Sequence, residues 1–100
     1  MYYISGFYKF KKIIDLKKNR EKLLTYFVKK NIRGTIIISK EGINGTLSGR
    51  KKDLFFIINK IKKIFKFIFF DSKNLSISKF QPFHRGKIKI KKEVVPLGFK

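Results

Sequence analysis

The residues of this chain best suited to binding chemistry are basic, and they concentrate near its C-terminal end. The basic side chains of residues 82–92 are His84, Arg85, Lys87, Lys89, Lys91 and Lys92. Alternate residues of a strand share one face, so its lysines would stand about 7 Å apart in a row. Such a row suits the phosphates of an extended nucleic-acid strand. It equally suits a solvated edge strand whose lysines deter aggregation.

A glycine-rich segment is the most specific local feature. It reads Lys40-Glu41-Gly42-Ile43-Asn44-Gly45-Thr46, and Gly49 follows it. Glycines let a backbone approach a phosphate closely, and the side chains of Asn44 and Thr46 could add hydrogen bonds. The alternative is that the glycines only satisfy positive φ in a hairpin turn. Because no Gly-Lys-Ser/Thr follows, the segment is not a P-loop.

Arginine is scarce in this lysine-rich chain, with four residues at positions 20, 33, 50 and 85. Its planar fork suits geometrically demanding contacts better than the point charge of lysine. We therefore predict an RNA-binding set comprising Arg33, Lys40, Asn44, Arg50, His84, Arg85, Lys87, Lys89, Lys91 and Lys92. Gly42, Gly45 and Gly49 are predicted to provide close backbone approach.

Residue types needed for catalysis are nearly missing from the sequence. It contains no Cys, one His and six acidic residues. This excludes disulfides, thiolate nucleophiles and Cys-ligated metals, and His84 lacks the partners that a catalytic or metal-binding histidine uses. We expect no catalytic residue, metal or cofactor in this chain.

The net charge indicates a polyanionic partner. Lys and Arg number 26, giving a formal charge of +20. Part of this excess reflects an A/T-biased composition, and the remainder favours nucleic acid or an anionic membrane surface. No apolar run approaches the roughly 20 residues that span a bilayer. We expect a cytoplasmic protein that binds no membrane.

Aromatic residues cluster in the first strand, at Phe7, Tyr8 and Phe10. They could form a platform on which RNA bases stack, as in RNA-recognition sheets. No RNP-type consensus is present, and aromatic strand residues more often belong to the core. Both interpretations stay open at this point.

The periodicity of apolar residues predicts the elements that position these groups. We predict strands over 2–14 (with an irregularity at Gly6), 35–39, 46–48, 75–80 and 87–91, the last extending to Val94 and Val95. Helices are predicted over 16–30, with Asp15 as cap or turn residue, and over 51–67. The order strand, helix, hairpin, helix, strand, strand is typical of a ferredoxin-like (acylphosphatase-like) split βαβ sandwich. We predict one α+β domain over 1–100, with an antiparallel sheet, two helices on one face and an extra C-terminal strand.

Several segments together resemble a known family. They are Tyr8-Lys9-Phe10, Arg33–Ser39, Glu41–Gly49 and Pro82–Gly98. The string E-G-I-N-G-T-L-S-G, followed at the family's spacing by P-F-H-R-G-K-I-K-I-K-K-E, is similar to the N-terminal domain of the rhodanese-domain tRNA uridine(34) hydroxylases. The resemblance covers essentially the whole chain.

This resemblance implies a role in oxygen-dependent formation of 5-hydroxyuridine at the wobble position of tRNA, with tRNA as partner. The family places its active-site cysteine in a rhodanese domain that follows the ferredoxin-like one. This chain has no cysteine, so that catalytic residue matches no position here. We expect a truncated or fragmentary member of the family, or one that works with a separate rhodanese domain.

Two other interpretations remain. A small acyl-phosphate hydrolase would need an arginine in the loop after the first strand, and residues 11–15 contain none. Because a fold alone does not imply an activity, we expect no such hydrolysis. A non-functional remnant is the other alternative.

Overall fold

The computed structural model describes residues 1–92, and the predicted extension through Val94 and Val95 lies outside them. The elements are β1 (Tyr2–Phe10), α1 (Leu16–Lys30), β2 (Arg33–Ser39), β3 (Gly42–Gly49), α2 (Lys51–Phe65), β4 (Ser72–Ser78) and β5 (Gly86–Ile90). Their order is the predicted one. Helix α1 has the predicted bounds, whereas α2 ends earlier than predicted and β4 begins and ends earlier.

The strands form a five-stranded sheet in the order β4-β1-β3-β2-β5. Strand β1 pairs antiparallel with β3 and β4, and β2 pairs antiparallel with β3. The predicted antiparallel pairing holds for β1 to β4, but the extra strand β5 pairs in parallel with β2, so the whole sheet is mixed. This is the acylphosphatase-like ferredoxin fold, which confirms the predicted fold class.

Both helices pack on one face of the sheet, where the hydrophobic core lies. The sheet contributes Ile36, Ile38, Ile43 and Leu47, and the helices contribute Leu23, Phe27, Leu54, Ile57 and Ile61. Val28 follows Phe27 directly on α1 but is 80% exposed. One residue turns the α-helix by about 100°, so Val28 lies beyond the edge of the stripe that Phe27 buries.

The predicted turn at Glu41–Gly45 is wrong in its position. Residues 40 and 41 form the turn, and Gly42 already pairs with Ser39 in the β2–β3 ladder. The strand starts early because β3 has partners on both sides, β1 and β2, and buries Ile43 and Leu47. Continuous pairing with a full apolar face outweighs the local turn preference of Gly and Asn.

The irregularity predicted at Gly6 is not present. It pairs in continuous register with Thr46 on β3 and with Asn74 on β4. Its backbone N–H donates to Asn74 Oδ1 at 3.1 Å. No helix in the described part of the chain is long and apolar enough to cross a membrane.

Candidate nucleic-acid interface

The sheet has one face without helices, which we call the open sheet face. Cross-strand register sorts its residues into rows that run across the strands. One row is Lys89, Ile37, Asn44, Tyr8 and Ser72, and the next is Lys87, Thr35, Thr46, Gly6 and Asn74. Basic, amide and aromatic side chains from four strands therefore meet on one surface.

The aromatic residues of β1 divide between the two faces. Phe7 is 4% exposed and belongs to the core, whereas Tyr8 and Phe10 are 38% and 49% exposed on the open sheet face. The Tyr8 and Phe10 ring centroids are 5.3 Å apart, in an edge arrangement. Two of the three residues considered for base stacking are thus placed where a base could reach them.

Asp71, just before β4, fixes the end of β1 that carries these rings. Its Oδ2 accepts a hydrogen bond from the Phe10 N–H at 2.6 Å. Its own N–H donates to the Tyr8 carbonyl at 2.9 Å, and its Oδ1 lies 3.5 Å from Lys9 Nζ. Through its carboxylate and its backbone N–H together, this one residue contacts three consecutive residues of the strand.

The alternation predicted for β5 is confirmed. Ile88 packs into the core at 2% exposure, so Lys87 and Lys89 project from the opposite face. Their partners across the parallel ladder are Thr35 and Ile37. The ladder continues past the strand because the Lys91 N–H donates to the Ile38 carbonyl at 2.9 Å.

Three other predicted residues meet beside the start of β5. Arg33, His84 and Arg85 line a cavity of about 270 Å³ next to the C-terminal end of α1. An Arg33 Nη1–H donates to the Phe83 carbonyl at 3.4 Å, and the Gly34 N–H donates to the Arg85 carbonyl at 3.0 Å. The segment before β5 is thereby tied to β2, and Gln81 Oε1 accepts from the Ser48 hydroxyl.

The remaining predicted residues lie apart from that corner. Lys40 occupies the β2–β3 turn, and Lys91 and Lys92 follow β5 at the same end of the sheet. Arg50 precedes α2 at the other end, 4.9 Å from the centre of the Tyr2 ring. Asn44 lies in the middle of the open sheet face. The predicted set therefore spreads along the full length of this face instead of forming one compact site.

The glycines of β3 are accounted for by close packing within the protein. A Cβ on Gly42 would lie 2.2 Å from the Lys9 carbonyl oxygen. A Cβ on Gly45 would lie 2.9 Å from the Thr35 carbonyl oxygen, and one on Gly49 would lie 2.8 Å from Ile32 Cδ1. The space at all three positions is filled by neighbouring strands and core side chains.

A second basic surface, which the sequence did not reveal, lies between the helices. The groove between α1 and α2 has a volume of about 520 Å³, and we call it the helix groove. Its lysines are Lys22, Lys29, Lys60, Lys63 and Lys66. In the sequence, each helix has the pattern of an ordinary amphipathic helix with a solvated lysine face. The groove becomes evident only in the structure, where the lysine faces of the two helices lie side by side.

Within residues 1–92, His, Asp and Glu side chains do not gather in threes as a metal site would require. A further cavity of about 390 Å³ lies at the loop after β1 and is lined by Lys11, Lys12, Asp15, Lys18 and others. Among the described residues, the cationic side chains that line this cavity are all lysines.

The chain matches known proteins at two levels. A curated tRNA uridine(34) hydroxylase of Pelagibacter ubique (strain HTCC1062) is 62% identical over 98 residues, which are 98% of this chain and 33% of that protein. The chain thus spans about a third of the length of that relative.

The solved structures share the fold alone. Acylphosphatase from Bacillus subtilis superposes with a TM-score of 0.60 at 13% identity, covering 88% of this chain and 98% of that one. Klebsiella pneumoniae BlrP1, in its calcium/cy-diGMP complex, gives 0.60 at 15% identity, covering 91% of this chain and 23% of that one.

The family itself is established by a match along nearly the whole chain. The model of the family described as UPF0176 acylphosphatase like domain matches residues 2–94. This confirms the resemblance carried by the Glu41–Gly49 and Pro82–Gly98 segments. The chain belongs to the UPF0176 acylphosphatase-like domain family.

Proposed function

We propose that this chain is the tRNA-binding and tRNA-positioning domain of a tRNA uridine(34) hydroxylase. The proposal is supported by its 62% identity to a protein of that name and by its family. A net charge of +20 favours a polyanionic partner of this kind. The domain contacts tRNA through the open sheet face.

The observation that carries the proposal is the row Lys89, Ile37, Asn44 and Tyr8, which places a cation and an aromatic ring on one surface. Neighbouring strands lie about 4.8 Å apart, so Lys89 and Tyr8 are separated by about 14 Å across the sheet. Lysines along β5 attract the phosphates, while the Tyr8 and Phe10 rings take unpaired bases. This division suits RNA whose bases are splayed out of a helix, as in a loop.

The oxygen-dependent hydroxylation of the wobble uridine belongs, in this proposal, to the whole hydroxylase. Because this chain has no cysteine, the active-site thiol is supplied by a rhodanese domain, on the same or on a separate polypeptide. The role of the present domain is to hold the tRNA in place for that chemistry.

The test is a titration of the purified domain with tRNA at several salt concentrations. Neutralising Arg85, Lys87 and Lys89 together to Gln, the open-face variant, should lower the slope of log affinity against log salt by about 0.7 per phosphate contact to unpaired RNA. The matched control neutralises Lys17, Lys52 and Lys73, which are exposed and outside both basic surfaces. Thermal unfolding of both variants confirms that they are folded.

Equal effects of the two variants would show that only overall charge matters, and would contradict binding through the open sheet face. Binding of tRNA that does not change with salt would contradict the proposal as well.

A further inference from the structure

We infer that the helix groove is a second RNA-binding surface, which holds the phosphate backbone of a base-paired segment without reading its sequence. This inference rests on the proposed function in taking RNA as the partner. It concerns the opposite side of the domain from the open sheet face.

The lining of the helix groove is almost purely cationic. Five of its eight lining residues are lysines, and the others are Thr25, Tyr26 and Ile64. No carboxylate is among the described residues that line it. A groove with one sign of charge focuses the field and draws in an anion.

The groove continues into the cavity at the loop after β1. The two share Lys22, Ile64 and Lys66, and the second adds Lys11, Lys12 and Lys18, with Asp15 as its carboxylate. From Lys18 to Lys29, α1 advances by about 17 Å. This basic track is long enough to follow several phosphates of a duplex strand, which are spaced about 3.4 Å apart along the helix axis.

Part of this track is held in position by aromatic rings. Lys60 Nζ lies 5.1 Å from the Tyr26 ring centre and 5.4 Å from that of Phe56. The two rings pack edge to face at 5.6 Å, and Lys30 Nζ lies 4.7 Å from Phe56 on its other side. Ordering these ammonium groups before binding lowers the entropy lost when a phosphate arrives.

Repulsion between the lysines of this track destabilises the domain when no RNA is bound. Lys18 and Lys22 are four residues apart on α1, and a like-charge pair at that spacing is destabilising. Lys22 of α1 and Lys66, directly after α2, line the same groove, which adds repulsion between like charges. A bound polyanion removes both penalties, whereas water and salt only screen them.

The rings of the groove indicate paired rather than unpaired RNA. Tyr26 is half-buried, and it already packs against Phe56 and Lys60. It is therefore less accessible to a base than Tyr8, which is 38% exposed on the open sheet face. What remains is a set of point charges, which suits a backbone whose bases are turned inward.

The test compares two probes, a blunt RNA duplex and an unstructured single-stranded oligoribonucleotide, on the whole chain. The groove variant neutralises Lys22, Lys29 and Lys63 to Gln, and its control is again the variant at Lys17, Lys52 and Lys73. The groove variant should lower the duplex salt slope by about 2.7, which corresponds to a loss of about 500-fold in affinity at 0.1 M salt. Its affinity for the single strand should match that of the control.

A charge-preserving variant, with Arg at positions 22, 29 and 63, should keep duplex affinity and guards against a folding artefact. Duplex affinity that falls equally in groove variant and control overturns the inference. So does binding to phosphatidylserine vesicles that the groove variant abolishes while its duplex affinity stays intact. The proposed function would be contradicted by a different result, namely that the open-face variant leaves the affinity for the single strand unchanged.

Discussion

The two sides of this domain use lysine differently, although both are strongly basic. On the open sheet face, Lys87 and Lys89 stand in register with amide, hydroxyl and aromatic side chains. In the helix groove, lysines face lysines across the gap between α1 and α2. The first surface combines cations with hydrogen-bonding and aromatic groups, whereas the second is lined mostly by cations.

The difference follows from the geometry of the two element types. A strand turns its residues outward in alternation, so lysines of an edge strand lie next to whatever its neighbours present. A surface helix buries an apolar stripe and exposes its polar face. Two helices packed side by side on a sheet bring their exposed polar faces next to each other. The same lysine-rich composition thus produces a mixed surface on the sheet and a uniform one on the helices.

The largest effect should come from a change that removes both surfaces at once. Gly34 has φ +115°, and a Cβ there would lie 2.1 Å from the Thr46 carbonyl oxygen. We expect Gly34→Ala to lower the free energy of unfolding by about 3 kcal/mol or more, because β2 must move away from β3. Urea denaturation measures this, and both RNA probes should lose binding together.

Gly6→Ala is the matched control for that change. A Cβ at Gly6 would meet Asn74 Oδ1 at 3.1 Å, and a side-chain amide can shift where a backbone carbonyl cannot. If Gly34→Ala unfolds at the same urea concentration as Gly6→Ala, the two surfaces do not depend on this close strand approach.

The next effect should separate the two sides. Tyr8→Ala removes a ring from the open sheet face and should weaken single-strand affinity by about 1–3 kcal/mol, the value of one stacked base. Duplex affinity should stay unchanged, because the helix groove lies on the other face. Tyr8→Phe keeps the ring and should bind nearly as the parent does. An equal loss for both probes would mean that the sides are not independent.

A smaller effect on RNA affinity is expected when a single positive charge is removed. Neutralising Lys29 should lower the duplex salt slope by about 0.9, the value of one phosphate contact. Lys87→Gln removes the same charge from the opposite side and should leave that slope unchanged. Fluorescence anisotropy across salt concentrations distinguishes the two, and identical slopes for both variants would contradict the assignment.

The smallest effect should leave both sides untouched. Ser5 is 1% exposed in the centre of β1, and its hydroxyl has no hydrogen-bond partner within residues 1–92. Removing a buried hydroxyl without a partner should stabilise, so Ser5→Ala should raise the free energy of unfolding by about 1 kcal/mol. Neither probe should change in affinity. A lower unfolding free energy would indicate that the hydroxyl makes a stabilising contact.

The sequence predicted those elements in which apolar residues recur at one regular spacing. Lys87 and Lys89 alternate strictly with isoleucines, and the apolar stripe of α2 repeats at three and four residues, so both elements were predicted. The turn was misplaced because Gly42 and Gly45 are typical turn residues, whereas pairing with two neighbouring strands keeps them in β3.

The candidate site was less predictable, because it depends on contacts between distant segments. Phe7 and Tyr8 are both aromatic, and Phe7 faces inward because it lies opposite Gly45, whose missing Cβ leaves room for the ring. The helix groove depends on how α1 and α2 pack together. Neither arrangement has a signal within a single segment of the sequence.

The contacts of Asp71 have a further consequence for recognition. In a chain with six acidic residues, this one pairs with Lys9 and also binds the backbone of Tyr8 and Phe10. The backbone that carries the two rings is therefore held in place by β4 as well as by β3. Because that stretch of backbone is already ordered, the Tyr8 and Phe10 side chains have less conformational freedom to lose when anything packs against them.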